Sequence, residues 1–317
     1  MQKNILILGL GAFGFAIAKH LGENNPKTTI FASEINAEIF KNISETRKHP
    51  YFFEGVTLPT NIELISDANA ELGNIDIIIS IIPCQFVGGA FSGMKEYLKD
   101  GVTILNLSKG IDNQSLQTVS EKLSEVLDGI NYNYAYLAGG MIAAELVEGK
   151  KLGADIVTQN NETGEILEKI FESESLQINL KIGSPKNTEL YAALKNIIAL
   201  ILGYYEGTGA GASTLGYYFS TLLGEIKQII KLLDGDSNLE FTDYALSGDL
   251  IATCFGASRN RLLGNMLGKG TSISEALSEL KTQNKIAEGY ETLKGVYTIT
   301  KGKEGFEEIN SFGSKYL

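Results

Sequence analysis

Asn4-Ile5-Leu6-Ile7-Leu8-Gly9-Leu10-Gly11-Ala12-Phe13-Gly14 is the stretch that decides the fold of this chain. Its run of four apolar residues suits a strand covered on both faces, as strands of parallel sheets are. Glycines follow in the G-x-G-x-x-G spacing, and Ala16-Ile17-Ala18-Lys19-His20-Leu21 continues with helical character. Gly9 permits the tight turn, Gly11 lets the backbone approach phosphates, and Gly14 lets the helix pack close to the strand. A helix starting behind such a loop presents N–H groups to an anion, here a dinucleotide pyrophosphate. Gly9, Gly11, Ala12, Phe13 and Gly14 are therefore the predicted cofactor cradle.

Thr28-Thr29-Ile30-Phe31 reads as the second strand, and Glu34 lies just beyond it. That is about 20 residues past the glycines, where a carboxylate accepts hydrogen bonds from a ribose 2′-hydroxyl and repels a 2′-phosphate. No Arg or Lys stands immediately beside it. The expected cofactor is NAD, with NADP as the alternative.

Outward from this unit, strand-like and helix-like segments alternate to about residue 182. Predicted strands are 4–8, 28–31, 75–82, 102–107, 134–138, 154–158 and 176–182. Helices are expected over 115–127 and 164–171, and 47–61, with Pro50, Gly55 and Pro59, reads as an ordered excursion from the sheet. Beyond residue 183 long helical patterns take over, at 188–205 and 213–233, broken by Gly207-Thr208-Gly209-Ala210-Gly211. The expected architecture is α/β: a Rossmann-like dinucleotide-binding domain over 1–182, then an all-α domain over 183–317.

The 317 residues carry a net charge of −11. An acidic surface argues against nucleic acid and anionic membranes as partners, yet a local Lys/Arg pocket can still take an anionic substrate. Two cysteines, Cys84 and Cys254, supply neither a disulfide framework nor a metal spacing. No apolar run is long enough to span a bilayer, and the N-terminus enters the first strand directly. No membrane insertion, no metal and a cytoplasmic location are expected; a homodimer is allowed.

Hydride reduction of a ketone needs a proton at the developing alkoxide, most often from His. Only His20 and His49 are present, on the first helix and in the excursion, and both read as surface or packing residues. Lys195 lies in Ala192-Ala193-Leu194-Lys195-Asn196-Ile197-Ile198, an apolar setting that lowers a lysine pKa. Asp249, after Gly248, is expected to pair with a cation. Arginine forks bind phosphate oxygens and Asn adds a neutral donor, so Ser258-Arg259-Asn260-Arg261 is the predicted phosphate site. Cys254 has no neighbouring His to activate it and reads as a packed thiol.

These blocks, with Tyr51–Ile62, Ile82-Pro83-Cys84-Gln85, Ser108-Lys109-Gly110-Ile111, Glu189–Asn196, Gly248–Cys254 and Glu288-Gly289, stand in an order and spacing that resemble NAD(P)-dependent glycerol-3-phosphate dehydrogenases over nearly the whole chain. The resemblance implies a helical domain of the 6-phosphogluconate dehydrogenase kind. It also implies interconversion of dihydroxyacetone phosphate and sn-glycerol 3-phosphate, which supplies phospholipid backbone. On this analogy Lys195 is proton donor and acceptor, aided by Lys109, Asp249 and Thr253. Arg259, Asn260 and Ser258 hold the phosphate of a small substrate, and Pro83, Gln85 and Glu288 lie along the cofactor.

The chain departs from the family pattern in three places. Ala138-Gly139-Gly140-Met141 stands where Ser-Gly-Pro and a polar residue are usual, Ala192 replaces a glycine, and Gly216-Tyr217-Tyr218-Phe219-Ser220 replaces small and aliphatic residues. A paralogue acting on another phosphorylated or carboxylated hydroxy compound, or a silent NAD-binding sensor, is the alternative reading.

Overall fold

The computed structural model describes residues 3–236, 240–282 and 287–317. Two compact units form, one from residues up to Ser108 together with Val119–Pro185, the other from Lys109–Thr118 and Lys186–Leu317.

The first unit is a doubly wound sheet. Its strands are β1 (Ile5–Leu8), β2 (Ile30–Ser33), β3 (Ile62–Leu64), β4 (Ile77–Ser80), β5 (Val102–Asn106), β6 (Tyr132–Gly139), β7 (Leu152–Thr158) and β8 (Leu176–Ile182). The helices between them are α1 (Ala12–Asn24), α2 (Ala37–Thr46), α3 (Cys84–Met94), α4 (Val119–Val126), α5 (Ala143–Val147) and α6 (Asn161–Phe171). Spatial order is β3-β2-β1-β4-β5-β6-β7-β8. All pairs are parallel except β6 with β7. Chain order reverses between β1 and β4, the crevice where such sheets bind ligands. β1 and β4 are buried along their whole length, as continuous apolar runs require.

Several boundaries differ from the sequence expectation. β2 starts two residues later than Thr28. β3 escapes pattern reading because only Ile62 of its three residues is buried. The helix expected from Ser115 begins at Val119, because Asp112 makes its own turn: its Oδ1 accepts the N–H groups of Gln114 and Ser115 and the Ser115 hydroxyl. Leu116 then sits at φ 59°, which interrupts any helix. The antiparallel β7 is likewise new, since an apolar run encodes burial and not direction.

The second unit is helical: α7 (Lys186–Gly207), α8 (Ala212–Leu232), α9 (Asp249–Cys254), α10 (Arg259–Gly268), α11 (Ile273–Thr282), α12 (Glu288–Thr300) and α13 (Glu307–Tyr316). α7 is its axis, with Thr188 to Gly203 buried without interruption, as expected of a helix apolar on every side. α10 lies against it along a glycine seam. A Cβ at Gly203 or Gly207 would collide with the backbone oxygens of Arg261 or Asn265, and one at Gly264 or Gly268 with those of Leu200 or Tyr204. Residues 109–118, inside the first domain on the sequence reading, cluster with this unit because Ile111 and Leu116 join its core.

Candidate active site

Lys195 projects from the middle of α7 and is 4% exposed. Its Nζ donates to Asp249 Oδ1 at 2.7 Å and to Thr253 Oγ1 at 2.7 Å. Asp249 and Thr253 are one turn apart on α9, so they share a face. A turn of π-helix, Tyr244–Gly248, runs directly into Asp249. Lys109 closes the cluster, its Nζ at 2.8 and 3.0 Å from the two Asp249 oxygens. All four residues belong to the second unit.

Two ammonium groups therefore share one buried carboxylate. Burial alone would raise the Asp249 carboxyl, but Lys109 and Lys195 together hold it below the usual carboxylate range. Lys195 is lowered to about 8, first by burial and further by the Lys109 charge, with Asp249 opposing. Lysine has three N–H donors. Two of them are spent on Asp249 and Thr253, and the third is available to a bound oxygen. A lysine held in this way can give and take a proton near neutral pH.

Ser258 stands at the N-cap of α10, with Arg259 and Asn260 in its first turn. Asn260 is buried, and its Oδ1 accepts the Gly289 N–H at 2.9 Å, which fixes the orientation of its amide. The two arginines separate in role. Arg261 donates to both Glu206 oxygens, at 3.0 and 2.5 Å, and to the carbonyls of Phe255 and Gly256. Arg259 is exposed, forms no ion pair among the described residues, and lines a cavity of ≈ 370 Å³ with Ser258, Gly256 and Arg261. Glu288 opens α12 and is exposed. Cys254 is buried, which pushes its thiol up to about 12 and rules out a resting thiolate.

In the first unit, Gly9 has φ +96°, a conformation that strains any other residue. A Cβ at Gly14 would collide with the Gly9 carbonyl oxygen, so this glycine sets the close approach of α1 to β1. At Gly11 a Cβ would meet nothing within 4 Å. The first turn of α1, which holds Ala12 and Phe13, has no side-chain cap and no acidic residue. Its free N–H groups and the open face at Gly11 fit a pyrophosphate. The loop packs on Ile81 and Ile82. Pro83 follows as the N-cap of α3, with Gln85 exposed in the first turn. Glu34, at the end of β2, accepts the Leu10 N–H on Oε2 at 2.6 Å and the Asn36 N–H on Oε1 at 2.9 Å.

Of the noted departures, Met141 is buried in the core of the first unit. Tyr218 stacks on Tyr205 at 3.4 Å, while Tyr217 is exposed. His20 is a packing residue, with Nε2 at 2.8 Å from the Phe171 carbonyl. The glycine seam and the Arg261–Glu206 pair were not foreseen; the G-x-x-x-G spacing at 203/207 and 264/268 was the signal for the first.

Among curated relatives, a glycerol-3-phosphate dehydrogenase [NAD(P)+] of Leptospira biflexa is 31% identical, over 90% of this chain and 84% of its own. One of Thermoanaerobacter sp. is 30% identical, over 94% and 87%. The solved glycerol-3-phosphate dehydrogenase of Plasmodium falciparum superposes with a TM-score of 0.89 at 23% identity, covering all of this chain and 92% of that one. The enzyme of Saccharomyces cerevisiae gives 0.86 at 23%, covering all of this chain and 97% of that one. Two family models, the N-terminus and the C-terminus of NAD-dependent glycerol-3-phosphate dehydrogenase, match residues 4–164 and 185–311, and the chain belongs to that family.

Proposed function

We propose that this protein interconverts dihydroxyacetone phosphate and sn-glycerol 3-phosphate, using NAD(H) with NADP(H) as the weaker cofactor. The observation that carries the reading is the buried Lys195, held by Asp249 and Thr253 with one N–H to spare. Bound nicotinamide supplies or removes the hydride at the substrate's central carbon. Lys195 gives its free proton to the oxygen of that carbon during reduction and takes it back during oxidation. Asp249 and Thr253 aim the Nζ, and Lys109 holds the Asp249 charge and keeps Lys195 acidic. Arg259 grips the substrate phosphate, with the Asn260 amide and the Ser258 hydroxyl beside it. Glycines 9, 11 and 14, with Ala12 and Phe13, cradle the pyrophosphate, and Glu34 takes the adenosine ribose. Pro83, Gln85 and Glu288 line the rest of the cofactor.

A cytoplasmic enzyme that feeds phospholipid synthesis is the setting this chemistry suits. No helix among the described residues is long and apolar enough to cross a membrane. The test is NADH oxidation with dihydroxyacetone phosphate, run beside the same assay with NADPH. Absence of turnover with both cofactors overturns the reading.

A further inference from the structure

α9 carries half of the proton site on very little helix. Its six residues hold Asp249 and Thr253, and a helix that short does not stand alone in water. Leu250 and Cys254 are buried, but Ile251 is 59% exposed and Phe255, the C-cap, 51%. The contacts of Asp249 and Thr253 with Lys195, both 2.7 Å, therefore depend on what holds the far end of α9 against α7.

Arg261 holds it. Its backbone is anchored on α7, where a Cβ at Gly203 would collide with the Arg261 carbonyl oxygen. From that point the side chain reaches two elements. Nε and Nη2 form a fork on the Glu206 carboxylate, at 3.0 and 2.5 Å. Glu206 lies on the same helix as Lys195, about three turns further along. Nη1 donates to the carbonyls of Phe255 at 2.9 Å and Gly256 at 3.2 Å. These carbonyls close the C-terminal end of α9, where backbone acceptors lack helical partners and a cation is favoured. Gly256 lets the chain fold back there, since a Cβ would collide with the Ala252 carbonyl oxygen. Four of the five guanidinium N–H groups are thus spent inside the protein.

We propose that Arg261 and Glu206 are positioning residues for proton transfer: together they staple the end of α9 to α7 and so keep Asp249 and Thr253 on the Lys195 ammonium. This rests on the functional reading above. Arg261 adjoins the segment assigned to the substrate phosphate, yet its guanidinium serves the other half of the site. The task needs a planar fork. One edge meets a carboxylate and the other meets carbonyls, whereas a lysine ammonium is a point charge that cannot span both. Glu206 fixes where the guanidinium sits. With glutamine in its place, an NH2 group replaces one of the two acceptors.

The test begins with alkylation, which needs no turnover. Cys254, buried on α9, reports on the seating of that helix, and Cys84, in the first unit, is the control. Folded protein is treated with iodoacetamide, and the two rates are read from peptide masses. Glu206→Gln and Arg261→Lys should each alkylate Cys254 about 10-fold faster or more, as local opening does, with the Cys84 rate unchanged. The double variant should go no faster than the faster single one, because the two side chains act as one unit. In turnover, each variant should lose about 10- to 100-fold in kcat, the scale of a misplaced catalytic group. The loss should appear with dihydroxyacetone phosphate and with unphosphorylated dihydroxyacetone alike, while KM for the phosphate ester changes less than about 3-fold. An unchanged Cys254 rate in both variants, an equal acceleration at Cys84, or a loss confined to KM for dihydroxyacetone phosphate would overturn the proposal. A wild type without turnover would sink the functional reading and leave the alkylation result standing.

Discussion

The charge arithmetic around Asp249 governs what individual residues do. One carboxylate faces two ammonium groups, so losing either lysine still leaves a neutral pair, whereas losing Asp249 strands two cations. Lys195→Ala should therefore fold, because Asp249 keeps Lys109 at 2.8 Å. Turnover should fall about 10²–10⁴-fold, the usual cost of a missing positioned acid, with NADH affinity unchanged. Near-normal turnover would remove Lys195 from the chemistry. Asp249→Ala is expected to cost about 3–5 kcal/mol of stability as well, since it leaves buried charge uncompensated; a urea melt decides this. The pH dependence has a definite sign. Lys195, lowered to about 8, is protonated below that pH, and reduction needs the protonated form. In pH profiles, kcat/KM for ketone reduction should be flat below about 8 and fall above it, while that for alcohol oxidation should rise through the same range. Profiles of the same slope in both directions would contradict Lys195 as the shared proton carrier.

Helices α7 and α10 show what packing asks of single elements. Four glycines let their backbones touch, so Gly264→Ala should destabilise by about 2 kcal/mol through overpacking, although Ala is the better helix former. Gly216→Ala on α8 is the control. A Cβ there meets nothing within 4 Å, so the change should stabilise by about 0.5–1 kcal/mol. Thermal melts giving both variants the same sign would refute the seam. This seam also marks the limit of what could be read in advance. The glycine cradle, the α/β alternation and the buried Lys195 were legible because each leaves a local pattern. The separate roles of Arg259 and Arg261 were not, since Glu206 is 55 residues away in sequence. The direction of β7 and the Asp112 turn likewise depend on partners that no local periodicity reveals. Thr253 was reached only by resemblance, yet its spacing of one helical turn from Asp249 is what lets both hold the same ammonium.

Over the whole molecule the net charge is −11, so a phosphorylated substrate approaches a surface of its own sign. Such repulsion acts over about one Debye length, roughly 10 Å at 0.1 M salt, and short-range capture must overcome it. Lys109 and Lys195 are tied to Asp249, and Arg261 to Glu206. Arg259, which lines a cavity with Arg261, is exposed and unpaired among the described residues. If it holds the phosphate, Arg259→Ala should remove a charge-assisted bond of roughly 1.5–3 kcal/mol, and kcat/KM for dihydroxyacetone phosphate should drop about 10- to 100-fold. Part of the loss should fall on kcat, because phosphate binding also orients the distant carbonyl. Unphosphorylated dihydroxyacetone has nothing for Arg259 to grip, so its slow turnover should not respond, and NADH affinity should stay constant. Arg259 makes no side-chain hydrogen bond or ion pair among the described residues, so the melting temperature should hold as well. An equal proportional loss for the two substrates would show that Arg259 supports the fold and not the phosphate.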